Sequence, residues 1–145
     1  MVITRALAVA GCSALAFAGI AVGSAGPARA DEPLDGDYAF VNGPTINTST
    51  ITTQCNPEGK CGGTVSTSTG LVAAIEKVPG GPWTVDRNDV FNGWICPDGT
   101  TGPGDQVYSF DPATLAGTLR YTPRPGACND PNVLQRQDPV SLQRR

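Results

Sequence analysis

Histidine is missing altogether from these 145 residues, and methionine occurs once. Without histidine the chain can build no Ser-His-Asp triad, no Cys-His nucleophile, no histidine-ligated zinc and no histidine general base. Charge is sparse as well, at 16% of residues, and the Lys and Arg residues form no cluster. No glycine loop has the spacing that cradles phosphate. Beyond residue 31 no stretch sustains helical periodicity, so an α-helical bundle is not expected.

The chain has one long apolar run, and it lies at the start. Arg5 precedes Ala6–Val22, Gly26-Pro27 breaks the run, and Ala28-Arg29-Ala30 supplies a small-residue cleavage site before Asp31. That order describes a secretory signal peptide over 1–30. Ala6–Val22 is shorter than the roughly 20 apolar residues of a membrane span, and Gly11, Cys12, Ser13 and Gly19 dilute it. Val9-Ala10-Gly11-Cys12 fits the short pattern ahead of a lipid-modified cysteine. The apolar run continues past Cys12, however, where a lipoprotein tether should turn polar. The expected mature chain is a single domain over 31–145, secreted or retained at the cell envelope, with no membrane-spanning segment.

Over 31–145, eight basic residues face thirteen acidic ones, a net charge of −5. Such a chain is repelled by nucleic acid and by anionic lipid. Leu, Ile, Val and Phe number 22 of those 115 residues, or 19%, a thin supply for a core. Covalent support is therefore expected from the four cysteines that remain, Cys55, Cys61, Cys96 and Cys128. An even number in an exported chain points to two disulfides, with three pairings open. The favoured pairing is Cys55–Cys61, around the turn-forming Asn56-Pro57-Glu58-Gly59-Lys60, and Cys96–Cys128, tying a central strand to the C-terminal segment. A four-cysteine zinc site fits poorly, because its pairs are usually spaced C-x₂₋₄-C.

Gly or Pro punctuates the mature chain every eight to twelve residues, the mark of many short strands joined by turns. Strands are expected near 37–42, 46–54, 63–68, 71–78, 82–87, 90–96, 106–111, 115–121 and, most weakly, 138–143. Trp83 and Val85 alternate with Thr84 and Asp86, Tyr108 and Phe110 with Ser109, and Leu115, Leu119 and Tyr121 with Thr118 and Arg120. One apolar and one wet face per strand suits an antiparallel sheet. Leu71–Val78 carries apolar residues on both faces, which predicts cover on both. The expected fold is all-β, an antiparallel meander of about eight or nine strands forming a barrel or a sandwich.

Several groups are candidates for chemistry. Asp98-Gly99 and Gly102-Pro103-Gly104-Asp105 offer carboxylates for a hard cation, but their spacing is that of turns. Asp86, Asp89, Asp98, Asp105 and Asp111 supply enough carboxylates for a glycan hydrolase, which would need two of them in one cleft. Thr45, Thr48, Thr50, Thr52, Thr53, Thr64, Thr67 and Thr69 give two threonine-rich strands, expected as solvent-facing β formers. Trp83, Trp94, Tyr108 and Phe110 are the candidate lining of a pocket for an apolar ligand in a barrel mouth. No cofactor is implied.

Cys96-Pro97-Asp98-Gly99, Tyr108-Ser109-Phe110-Asp111-Pro112 and Thr114-Leu115-Ala116-Gly117-Thr118, with Trp83 and the Cys55/Cys61 pair, carry a resemblance. Together they resemble a group of small exported proteins of mycobacteria and related actinobacteria. The resemblance covers most of the mature chain and implies an exported location. It supplies no activity and no site residues, and within it the cysteines and aromatic residues act as framework. The sequence thus points to binding or recognition of a protein or envelope component. A barrel carrier of a small apolar ligand is the first alternative, and a carboxylate-based glycan hydrolase the second.

Overall fold

In the computed structural model, which describes residues 32–129 and 135–145, eight antiparallel strands close into a barrel. They are β1 (Gly36–Asn42), β2 (Thr45–Cys55), β3 (Cys61–Thr67), β4 (Val72–Lys77), β5 (Trp83–Ile95), β6 (Thr101–Phe110), β7 (Ala116–Pro123) and β8 (Arg136–Arg144). Each strand pairs with the next in sequence, and β1 pairs with β8 through Tyr38↔Arg144 to Asn42↔Val140. The expectation of an all-β meander resolves to a closed up-and-down barrel, a form that leaves no exposed sheet edge. The signal-peptide segment over 1–30 lies outside the described residues.

Alternation along each strand decides the two surfaces. In β2, Ser49, Ile51 and Thr53 point inward and are buried, while Thr50 and Thr52 between them are exposed. The outer wall carries Asp37, Thr50, Thr52, Thr64, Glu76, Asp86 and Arg120, all exposed. The inside is lined by Ile51, Val65, Ile75, Val85, Phe110, Leu119, Val140 and Leu142. A polar outside around an apolar inside is the reverse of the pattern in a membrane-spanning barrel. No helix among the described residues is long and apolar enough to cross a membrane.

One end of the barrel is closed. Trp83 and Lys77, register partners on β5 and β4, are each 1% exposed, and the Lys77 Nζ lies 6.0 Å from the centre of the indole ring. Leu34 packs beneath, held because Thr53 Oγ1 accepts from the Leu34 N–H at 2.7 Å while the Thr53 N–H donates to Asp35 at 2.6 Å. The Cys55–Cys61 disulfide joins directly opposed residues at the end of the β2–β3 hairpin, and Cys61 is part of the core. Both expected disulfides are present. Cys96–Cys128 ties the β5–β6 hairpin to a 3-10 turn at Ala127–Asn129.

The structure corrects three local expectations. The strands expected at 82–87 and 90–96 are one strand, β5, with register shifts between Arg87 and Val90 and between Val90 and Trp94. β6 starts at Thr101, so Gly102-Pro103-Gly104 is paired strand and not a turn. Close approach explains those glycines: a Cβ on Gly102 would lie 3.2 Å from the Ala127 Cβ, and one on Gly104 would lie 3.0 Å from the Thr122 carbonyl oxygen. In β4 the outer face is open, with Val72 69% exposed, because among the described residues the barrel is a single wall with no second layer outside it.

Candidate functional site

At the other end the described residues leave the barrel open. A cavity of about 500 Å³ descends from it, entered past Thr69, Gly70 and Leu71 of the β3–β4 turn. Its lower wall is aliphatic and aromatic: Ile51 from β2, Val65 from β3, Ile75 from β4, Phe110 from β6 and Leu142 from β8. An eight-stranded barrel is wide enough either to be filled by its own side chains or to hold one small ligand. Here the large side chains are concentrated at the closed end, and the upper level is lined by shorter ones such as Asn47, Ser49 and Thr67. The space therefore stays open above Phe110.

Phe40 of β1 meets Tyr108 edge to face, ring centres 5.8 Å apart, and Phe110 at 6.4 Å. These three rings form one side of the cavity. Above them stands Arg87 of β5, on the same face as Trp83 and Val85 by the two-residue alternation of the strand. Its Nη1 donates to the Gln106 side-chain carbonyl at 2.8 Å, and the Tyr108 hydroxyl donates to that same oxygen at 3.3 Å. The Gln106 amide nitrogen donates to the Gly93 carbonyl at 3.2 Å, which orients the amide so that its oxygen faces Arg87. Among the described lining residues Arg87 alone is charged.

Of the four aromatic residues expected to line a pocket, Tyr108 and Phe110 do so. Trp83 does not: it faces inward opposite Phe110, but its side chain packs with Lys77 in the closed end and does not border the cavity. Nor does Trp94, which lies beyond both register shifts, opposite Gly102 in the extension of the β5–β6 hairpin. The threonine-rich strands divide. Thr50, Thr52 and Thr64 face solvent as expected, whereas Thr53 is buried and Thr67 and Thr69 line the cavity. Sequence reasoning missed Phe40, Ser49 and Arg87. For Arg87 the signal was present, since it continues the inward alternation of Trp83 and Val85.

The five carboxylates considered for hydrolysis lie elsewhere. Asp98 accepts from the Thr100 hydroxyl and N–H at 2.7 and 3.0 Å, which hold its carboxyl below the ordinary range. Asp111 accepts from the Thr114 N–H at 2.8 Å, the Thr114 hydroxyl at 3.1 Å and the Ala113 N–H at 2.9 Å, and is lowered for the same reason. Both carboxylates organise hairpin turns. Asp89 and Asp105 share Arg124, at 3.6 and 3.0 Å, and brace the irregular part of β5. Asp86 is exposed on the outer wall. None of the five borders the cavity.

At the rim of β7 and β8, Arg136 stacks on Tyr121 at 4.7 Å and pairs with Asp138 at 2.7 Å. Burial raises the Tyr121 hydroxyl, against the Asn42 hydrogen bond, which lowers it. This cluster pins β8 onto β7. No protein-family model, curated protein or solved structure matches the chain.

Proposed function

We propose that this chain is an exported binding protein, not an enzyme, and that it carries a small, largely apolar molecule in the mouth of its barrel. The cavity carries the reading. Its volume of about 500 Å³ lies within the 300–1,000 Å³ of small-molecule sites. It has the usual composition too, an apolar floor with a few convergent polar groups at one level. Export is supported by the signal-like first thirty residues, by two disulfides of the kind that persist in oxidising compartments, and by the resemblance to small exported actinobacterial proteins.

The test is titration with an uncharged, environment-sensitive dye such as Nile red. Saturable one-to-one uptake is expected, and Val65→Phe, which fills the cavity from one wall, should weaken it at least tenfold. Absence of saturable uptake by the wild-type protein, or equal uptake by the filled variant, overturns the carrier reading.

Recognition of a protein or envelope component through the outer surface is the second reading. It is favoured by Phe91, 83% exposed, and Ile95, also exposed, on the projecting β5–β6 hairpin.

A further inference from the structure

We infer that the ligand is an amphiphile with a carboxylate head, bound head-up at Arg87 with its apolar body lying below. This rests on the carrier reading above and adds the chemical class and orientation of the ligand.

Three observations carry it. First, Arg87 is the charged group of a cavity whose other described lining residues are neutral, in a chain that is acidic overall. A cation directed into such a space favours an anion there, and in partly desolvated surroundings the attraction is stronger than in water.

Second, the guanidinium has capacity to spare. Its partner is the neutral Gln106 oxygen, and among the described residues it makes no ion pair. A guanidinium has five N–H donors in a planar fork that fits a carboxylate with two parallel hydrogen bonds. The Gln106–Gly93 hydrogen bond fixes the acceptor that steadies Arg87, so the fork is held in place before a ligand arrives.

Third, the polarity of the cavity is graded along the barrel. Arg87, Asn47, Thr67 and Thr69 lie toward the mouth, and Ile51, Ile75, Phe110 and Leu142 lie below. Arg87 lies four positions along β5 from Trp83 in the closed end, about 13 Å along the strand at its usual rise. A medium-length alkyl or aryl body fits that depth with its head left at the mouth. A neutral apolar ligand would leave the Arg87 donors without a new partner, and a cationic one would meet repulsion.

The experiment compares decanoate, decanol and decyltrimethylammonium by calorimetry on the full mature chain, with Nile red as the uncharged reference. Decanoate should bind about tenfold or more tightly than decanol, and the ammonium should bind most weakly. Arg87→Gln should remove the preference for decanoate over decanol, while an unaltered far-UV spectrum and a cooperative thermal melt report that the variant is folded. Arg87→Lys should keep part of the preference, since it retains the charge without the planar fork.

If Nile red enters but decanoate gains nothing over decanol, the head-group assignment is overturned and the carrier reading stands. Equal loss of decanoate and decanol in Arg87→Gln overturns it as well. If none of the probes enters, both readings fall.

Discussion

Phe40 and Tyr108 come from strands that are not neighbours in the barrel, yet their rings meet edge to face at 5.8 Å with their planes at 65°. The contact closes the space on that side and leaves the cavity on the side of β2, β3 and β4. An edge-to-face pair of this kind contributes about 0.5–1.5 kcal/mol beyond the area it buries. Removing one ring should therefore act on stability and on cavity volume together.

Phe40→Ala should cost about 3 kcal/mol in urea denaturation, at the lower end for buried phenylalanine because this ring is half-buried. The enlarged cavity should also accept a bulkier dye than the wild type does. Tyr108→Phe keeps the ring and loses only a long hydrogen bond of 3.3 Å, so its stability should change by less than about 1 kcal/mol. Equal losses in the two variants would contradict the role given to the rings.

Trp94→Ala should leave Nile red affinity unchanged, because Trp94 sits past the irregular part of β5 and away from the cavity. Tyr108→Ala should reduce it. Fluorescence titration of the two variants side by side decides the matter, and a reversed order would place the ligand on the β5–β6 hairpin instead.

The two disulfides should differ in worth. Cys96–Cys128 spans 32 residues and Cys55–Cys61 spans 6. Loop-closure entropy puts them at about 3.7 and 2.2 kcal/mol respectively. The shorter loop is also held without its bridge, since the Asn56 N–H donates to the Lys60 carbonyl at 2.9 Å and the Asn56 side chain accepts from the Lys60 N–H at 2.8 Å. Replacing Cys96 and Cys128 together with Ser should lower Tm more than the same change at Cys55 and Cys61. Equal drops in a thermal melt would count against loop length as the deciding factor.

Acid should loosen the hairpin turns. The carboxyls of Asp98 and Asp111 are held below their ordinary value by hydrogen bonds from Thr100 and from Thr114. A group lowered on folding gives its full stabilisation above the unfolded value, about pH 4, and loses it as pH falls through the lower folded value. The melting temperature of the wild type should thus decline below about pH 4. The Asp98→Ala, Asp111→Ala double variant should melt lower at neutral pH and decline less steeply in acid. Parallel curves for the two proteins would show that other groups govern the acid limb.

Much of this was legible in the chain itself, and for local reasons. A two-residue alternation reports which side chains share a face, and Gly, Pro, Asn and Asp mark where strands must turn. The all-β class and the turn at Asn56–Lys60 follow from such short-range features, and of the three pairings open to the four cysteines the structure has the favoured one, Cys55–Cys61 with Cys96–Cys128. Depth along the barrel does not. Trp83 and Phe110 are register partners with the same inward parity, yet one packs the closed end and the other borders the cavity. What separates them is the stagger of strands around the closed wall, and that stagger is fixed by pairings such as Tyr38↔Arg144, 106 residues apart. β8, the most weakly marked strand, is the one that completes the ring, because its residues find partners on both sides at once. The alternation of Trp83 and Val85 carries on to Arg87, a signal the sequence reading did not use. Only closure of the barrel made the inward face the wall of a largely apolar cavity, in which Arg87 is the one charged group among the described lining residues.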